Sequence, residues 1–224
     1  MSQPAPAIHP LGEAAWTVAL GDRVDEATHR RVLALSGAIA AAGIPGVGEI
    51  VPAYAAVTVF FDPSQTDADT LRARLATLAD DGPTGGATDR PTVRPSDRPT
   101  VVIPTRYDGP DLDEVAGRTG LTRDQVIQLH SAREYRVYLL GFAPGFAYLG
   151  VLDPALVLPR RSVPRLQVAA GSVAIAGGQT AVYPLVVPGG WHLLGRTELR
   201  MFDPRREPPV LLRPGDRVRF EAVR

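Results

Sequence analysis

The chain has 224 residues with 24 basic and 24 acidic side chains, so no global field draws it to nucleic acid or to an anionic membrane. All 24 basic residues are Arg, and Cys, Lys and Asn are absent. These absences exclude a disulfide framework, a thiol nucleophile, a cysteine zinc site, a Walker-A phosphate loop, a Schiff-base lysine and an N-glycosylation acceptor.

Charge is unevenly spread. Residues 1–90 carry 6 Arg against 11 acids, while residues 158–224 carry 11 Arg against 5 acids. The basic end suits an anionic substrate, an acidic partner or the acidic N-terminal half. Gly and Pro number 22 each, which points to many turns and short strands. Met1 to Pro10 has neither the basic nor the apolar stretch of a signal peptide, and no apolar run nears the ~20 residues of a membrane span. A cytoplasmic protein is expected.

Residues 11–82 alternate strand and helix. Ala14–Leu20 reads as a strand. Asp25–Ala42 carries Val32, Leu33, Leu35 and Ile39 at helical spacing and is stopped by Gly43 and Pro45. Val47–Val51 and Ala55–Phe61 read as strands split at Pro52. A second helix runs from Thr66 to Ala79 on Leu71, Leu75 and Leu78. This β-α-β-β-α order predicts a ferredoxin-like α+β domain over residues 1–83 that needs one closing strand, which residues 100–104 either supply or pass over to lead into the next domain. Residues 84–99, rich in Pro, Thr, Arg and Asp, read as a flexible linker.

Residues 105–224 form the second expected domain. Asp111 can cap a helix ending at Gly120, and Thr122 with Gln125 makes a capping box before Val126, Ile127 and Leu129. From Glu134 the pattern becomes all-β. Strands are expected at Tyr135–Leu140, Ser172–Ala176, Ala181–Val187, His192–Arg196, Val210–Leu212 and Val218–Ala222, with Gly/Pro turns between them. That predicts a barrel or a sandwich.

Four constellations can carry chemistry. The run Gly141 to Gly150, with Gly145 and Phe146 at its bend, either walls a pocket with aromatic faces and offers amides to an anion, or plugs a barrel end. Arg160, Arg161 and Arg165, set among prolines, either clamp a carboxylate or phosphate or pair with nearby acids. Gln179 and Tyr183 can point into a site. Trp191, after two glycines, either stacks on a ligand or fills a core. His130 ends the capped helix and is either an acid/base group or a partner for the helix C-terminus. Ser172 lacks a nucleophile elbow. The histidines show no paired metal spacing, so no metal site is expected.

These strings resemble those of a known family. Val51 to Tyr54, Ile103-Pro104 with Gly109 to Leu112, Val126 to His130 and Tyr138 to Gly150 match it in order. So do Pro159 to Arg165, Gly171 to Val173, Tyr183-Pro184, Pro188 to Trp191, Gly195 to Thr197 and Pro214 to Asp216. The family is that of the 5-oxoprolinase B subunit, also called allophanate hydrolase subunit 1, with the sporulation kinase inhibitor. It is of the carboxyltransferase subdomain C/D type and is similar to part of urea carboxylase.

The resemblance implies a ferredoxin-like domain followed by a cyclophilin-like β-barrel, without implying prolyl isomerase activity. It implies ATP-dependent opening of 5-oxoproline to glutamate by a complex with a homologous C subunit and a third subunit. ATP, with magnesium as its counter-ion, would be shared with that complex. On this reading His130 and Tyr183 move protons, and Arg160, Arg161, Arg165, Gln179, Arg196, Gly145, Phe146 and Trp191 bind substrate or nucleotide. The alternatives are a module that inhibits a histidine kinase and an allophanate amide hydrolase.

Overall fold

In a computed structural model, residues 5–80 and 98–224 are described. The chain divides into two compact units, residues 1–92 and 93–224. The expected linker at 84–99 lies outside the described residues except for its last two positions.

The first unit contains β1 (Ala7–Pro10), β2 (Ala15–Ala19), α1 (Glu26–Ala41), β3 (Val47–Pro52), β4 (Ala56–Phe61) and α2 (Ala68–Asp80). Helix α1 starts where Asp25, in extended backbone, accepts the Thr28 N–H at 2.9 Å. Asp67 does the same for Thr70 at 2.8 Å ahead of α2. Both helices lay apolar stripes on an antiparallel sheet of order β1-β2-β4-β3, and Val32, Leu35, Ile39, Val57, Val59, Leu71 and Leu75 form the core.

The closing strand of this sheet is not residues 100–104. It is β1, which pairs with β2 in the register Ala7–Ala19, Ile8–Val18, His9–Thr17 and Pro10–Trp16, and Ile8 packs on the core. The sheet is thus completed by a segment that precedes the β-α-β-β-α run.

The second unit begins with β5 (Val101–Thr105), so it starts before residue 105. It continues through α3 (Leu112–Thr119), α4 (Arg123–Ser131), β6 (Glu134–Leu140), β7 (Ala147–Gly150), β8 (Arg165–Val168), β9 (Ser172–Ala176), β10 (Gln179–Val182), β11 (Val187–Gly189), β12 (His192–Arg196) and β13 (Arg217–Ala222). Seven strands follow the order β12-β9-β10-β7-β6-β13-β5. The β13–β5 pair is parallel and the rest are antiparallel.

Beyond the end of β5, Arg106 bridges to Arg196 at the end of β12, with amide-to-carbonyl distances of 2.8 Å in both directions. The sheet therefore curls into a nearly closed mixed barrel. Its interior holds Ile103, Val137, Leu149, Val173, Ile175, Val182, Leu194, Val218 and Phe220, and the helices add Leu112, Val115 and Val126. The capping box of Thr122 and Gln125 forms as expected.

Three strand expectations shift. The strand expected at Ala181–Val187 is divided between β10 and β11, because Pro184 cannot donate to a ladder. Val210–Leu212 contributes one isolated bridge, Phe202 to Val210. β7 and the β8–β11 ribbon arise within stretches read as loops. Among the described residues, no helix is long and apolar enough to cross a membrane.

Candidate functional site

Strands β9 and β10 alternate their side chains between two environments. Val173, Ile175, Thr180 and Val182 face the barrel interior, while Ala174, Ala176, Ala181 and Tyr183 belong to a second apolar cluster on the other face. Three alanines leave that surface flat, and aromatic rings lie over it. Phe146 is at the centre, with ring centroids at 5.3 Å to Phe142, 4.9 Å to Tyr148, 5.3 Å to Tyr183 and 5.6 Å to Trp191. All four pairs meet edge to face, the arrangement that aromatic quadrupoles favour.

The loop that delivers Phe146 is held by its own backbone, through Phe146 N–H to Ala143 O at 2.9 Å and Gly141 N–H to Phe146 O at 3.1 Å. Gly145 sits at φ +80, and a Cβ there would approach Phe202 Cβ at 2.8 Å, so only glycine fits. Phe142 also has positive φ, at 70°, and its side chain is 60% exposed. A bulky residue in that region is strained, and strain of this kind collects at functional surfaces.

Tyr183 is buried, which raises the pKa of its phenol, and the Trp191 backbone N–H and the Arg160 charge act in the opposite direction. Its hydroxyl packs against Gly189, where a Cβ would meet the ring. Tyr148 is raised by burial and likewise opposed by Arg160. Arg160 is thus an exposed guanidinium whose charge is felt by two phenols of the aromatic face. Gln179 opens β10 two residues before Ala181, on the same side as Tyr183.

Arg161 and Arg165 are not available in the same way. Asp111 Oδ1 accepts from Arg161 Nη1 at 2.9 Å and from Arg165 Nη2 at 2.6 Å, while Oδ2 accepts the Leu193 N–H at 2.7 Å. Glu114 takes Arg161 Nη1 at 2.5 Å. Burial raises the Asp111 pKa, but the Arg165 hydrogen bond, the Leu193 amide and the charges of Arg165 and Arg161 outweigh it and leave the carboxyl below its ordinary value. Asp111 makes no side-chain cap on α3, because its carboxylate is committed to the arginines. The two arginines thus tie residues 159–165 to the start of α3 and to β12. Asp111 lies 50 residues before Arg161, beyond any local pattern.

His130 is in the barrel core, fully buried. Thr180 Oγ1 donates to Ala174 O at 3.0 Å, so it can only accept from His130 Nε2, at 2.8 Å. Nδ1 then accepts from the Tyr107 hydroxyl at 2.7 Å. The imidazole is neutral, and burial pulls its pKa down to about 3. With both nitrogens engaged and no path to solvent, the expected acid/base role gives way to a structural one.

Arg196 lies elsewhere, on the outer side of the barrel seam. It pairs with Asp108 at 2.9 Å and, with Pro104, Arg106, Thr197, Glu198, Leu199 and Val223, lines a cavity of about 310 Å³. The expected binding set therefore separates into an aromatic face (Gly145, Phe146, Tyr183, Trp191, Gln179, with Arg160 acting on it through its charge), a structural clamp (Arg161, Arg165) and the seam (Arg196). Phe142 and Tyr148 join the face from the run already read as an aromatic wall, and Arg106 was not anticipated, since it carries no local signal. Among the described residues, no group of three or more His, Cys, Asp or Glu side chains could hold a metal ion.

Residues 6–212 match a family model described as carboxyltransferase domain, subdomain C and D. Three relatives, each named as the B subunit of 5-oxoprolinase, are 39–46% identical. The one from Bacillus subtilis is 39% identical over 96% of this chain and 92% of its own length. The crystal structure of TTHA0988 superposes with a TM-score of 0.81 at 43% identity, covering 94% of this chain and 40% of that one. This chain thus spans under half of that longer protein. The Kluyveromyces lactis urea carboxylase shares the fold, with a TM-score of 0.75 at 19% identity over 98% of this chain and 22% of that one.

Proposed function

The chain belongs to the carboxyltransferase-domain family of the subdomain C and D type, and from that premise we propose that it is the B subunit of an ATP-dependent 5-oxoprolinase. The observation that carries this reading is the set of relatives bearing that name, two of them aligned over nearly the whole of both chains. The reaction opens the 5-oxoproline lactam to glutamate at the expense of ATP. The N-terminal unit is read as ferredoxin-like with its fourth strand supplied by β1, and the second as cyclophilin-like.

The chain works with a homologous C subunit and a third subunit. With no lysine and no cluster of metal ligands among the described residues, it does not fit a complete site for magnesium nucleotide, which is assigned to the assembled complex. One contribution of this chain is an aromatic wall whose phenols feel the charge of exposed Arg160. Exposed Phe142 and Arg160 are placed to meet an anionic group, the guanidinium binding it and the rings excluding water.

The test is co-expression with both partner subunits, followed by an assay of 5-oxoproline-dependent ATP hydrolysis. Activity in the complex and none in the isolated chain is expected. A correctly assembled complex without activity overturns the proposal. Arg160→Ala is expected to raise the KM for ATP at least tenfold with little change in kcat, and unchanged kinetics would remove Arg160 from the nucleotide site.

A further inference from the structure

Arg106 and Arg196 face each other where the barrel closes. Each donates its amide to the other's carbonyl, so they form a directly opposed antiparallel pair whose side chains leave the sheet on one side. Like charges in that position destabilise a sheet. Asp108 offsets Arg196, yet both members of that ion pair are largely exposed, where such pairs contribute little. Arg106 has no ion pair among the described residues.

Both arginines line the seam cavity of about 310 Å³, and its other walls differ in chemistry. Pro104, Leu199 and Val223 supply carbon surface. Thr197 and Glu198 supply oxygens, and the Thr197 hydroxyl oxygen already accepts the Leu199 N–H at 3.2 Å, leaving its proton to donate. Glu198 repels a dianion such as phosphate and accepts from an N–H donor.

We propose that the seam cavity binds a small carboxylate that also carries an N–H group, with Arg106 and Arg196 sharing the carboxylate and Glu198 facing the nitrogen. An apolar ring or short chain between these groups rests on Pro104, Leu199 and Val223. The natural occupant, 5-oxoproline, rests on the function proposed above, but the chemistry of the site does not. A bound carboxylate relieves the repulsion of the paired arginines, so occupancy also tightens the seam.

Titration calorimetry on the full chain tests this with 5-oxoproline, its carboxamide, acetate and inorganic phosphate as probes. The acid is expected to bind, the carboxamide and acetate at least tenfold more weakly, and phosphate more weakly than the acid. Arg106→Gln, with circular dichroism and Tm unchanged, is expected to lose at least tenfold in affinity for the acid. No binding of 5-oxoproline at 10 mM (about the weak limit of such a measurement), equal binding of acid and carboxamide, tighter binding of phosphate, or an unaffected Arg106→Gln variant would each overturn the site. The acid-against-carboxamide comparison uses the unaltered chain and stands even where the variant fails to fold. Arg106-dependent binding without hydrolysis in the assembled complex would sink the proposed function and leave the site. Hydrolysis with an unaffected Arg106→Gln variant would do the reverse.

Discussion

Arg165 Nη2 lies 2.6 Å from Asp111 Oδ1, joining residues that are 54 positions apart. The same carboxylate oxygen also receives Arg161, and the other oxygen receives the Leu193 amide. One buried acid thereby holds the arginine loop, the start of α3 and β12 in register. Asp111→Ala strands the Arg165 guanidinium and the Leu193 amide at once and leaves Arg161 with Glu114 alone. Removing one partner of a buried pair costs about 3–5 kcal/mol, and the part-exposed arginines place this case near 3. Thermal unfolding is expected to shift down by roughly 10 °C, with a smaller shift for Asp111→Asn, which keeps the acceptor oxygen. A shift of under about 2 °C for Asp111→Ala would show that the clamp is not structural.

The histidine in the barrel core sets an acid dependence. Its folded pKa of about 3 lies below the ordinary histidine value, so on acidification the unfolded chain takes up the proton first. Its contribution is complete above the unfolded value of about 6.5 and drains away as pH falls toward the folded one. Between pH 7 and pH 5 this removes about 2 kcal/mol. The groups facing it are Tyr107, Tyr135, Thr180 and Phe220, none of them acidic, so nothing stabilises an imidazolium there. Denaturant titrations at several pH values should show this slope, and His130→Gln should flatten it.

Closure of the barrel depends on one close approach. A Cβ on Gly195 would sit 2.2 Å from Arg106 O and 2.9 Å from Tyr107 Cα, both backbone atoms that cannot step aside. Gly195→Ala is expected to part the seam and lower stability by about 2–3 kcal/mol, read as a reduced urea midpoint. An unchanged midpoint would mean that the seam is not held by this contact.

Deleting residues 1–10 removes β1. The edge of β2 is then unpaired, and Ile8 no longer covers the core. Exposed strand edges template association, so the truncated chain is expected to elute as dimers and larger species where the intact chain does not. A truncated chain that elutes like the intact one would argue that β1 is dispensable.

Helices α1 and α2 were legible because Val32, Leu35, Ile39, Leu71 and Leu75 recur at helical spacing, and β2 and β4 because their apolar faces alternate. β1 was not. Ala7-Ile8-His9-Pro10 holds one large apolar residue and ends in proline, so its pairing is specified by the edge it meets and not by its own pattern. Residues 100–104 were open between closing the first sheet and leading into the next domain for the same reason: Val101, Val102 and Ile103 suit any buried strand, and β13 is the strand that pairs with them.

The aromatic residues of the candidate site stood out in the sequence because Gly and Pro frame them. The division of labour among the arginines did not, since Arg160, Arg161 and Arg165 look alike until Asp111 and Glu114 fold beside two of them. His130 misled because position at a helix end says nothing about burial, which here depends on Thr180, 50 residues away.

The placement of β1 and β5 has a consequence for synthesis. On the ribosome the first unit can complete its four-stranded sheet as soon as α2 has emerged, because its edge strand was made first. The barrel has no such freedom: β5, at residues 101–105, pairs in parallel with β13, at residues 217–222, the last of the barrel's strands to be made. More than a hundred residues must be translated while β5 waits for its neighbour, so nascent-chain force profiles should register an early folding event and a late one released only once residues 217–222 have emerged. The second unit therefore relies longest on whatever shields unfinished chains from one another.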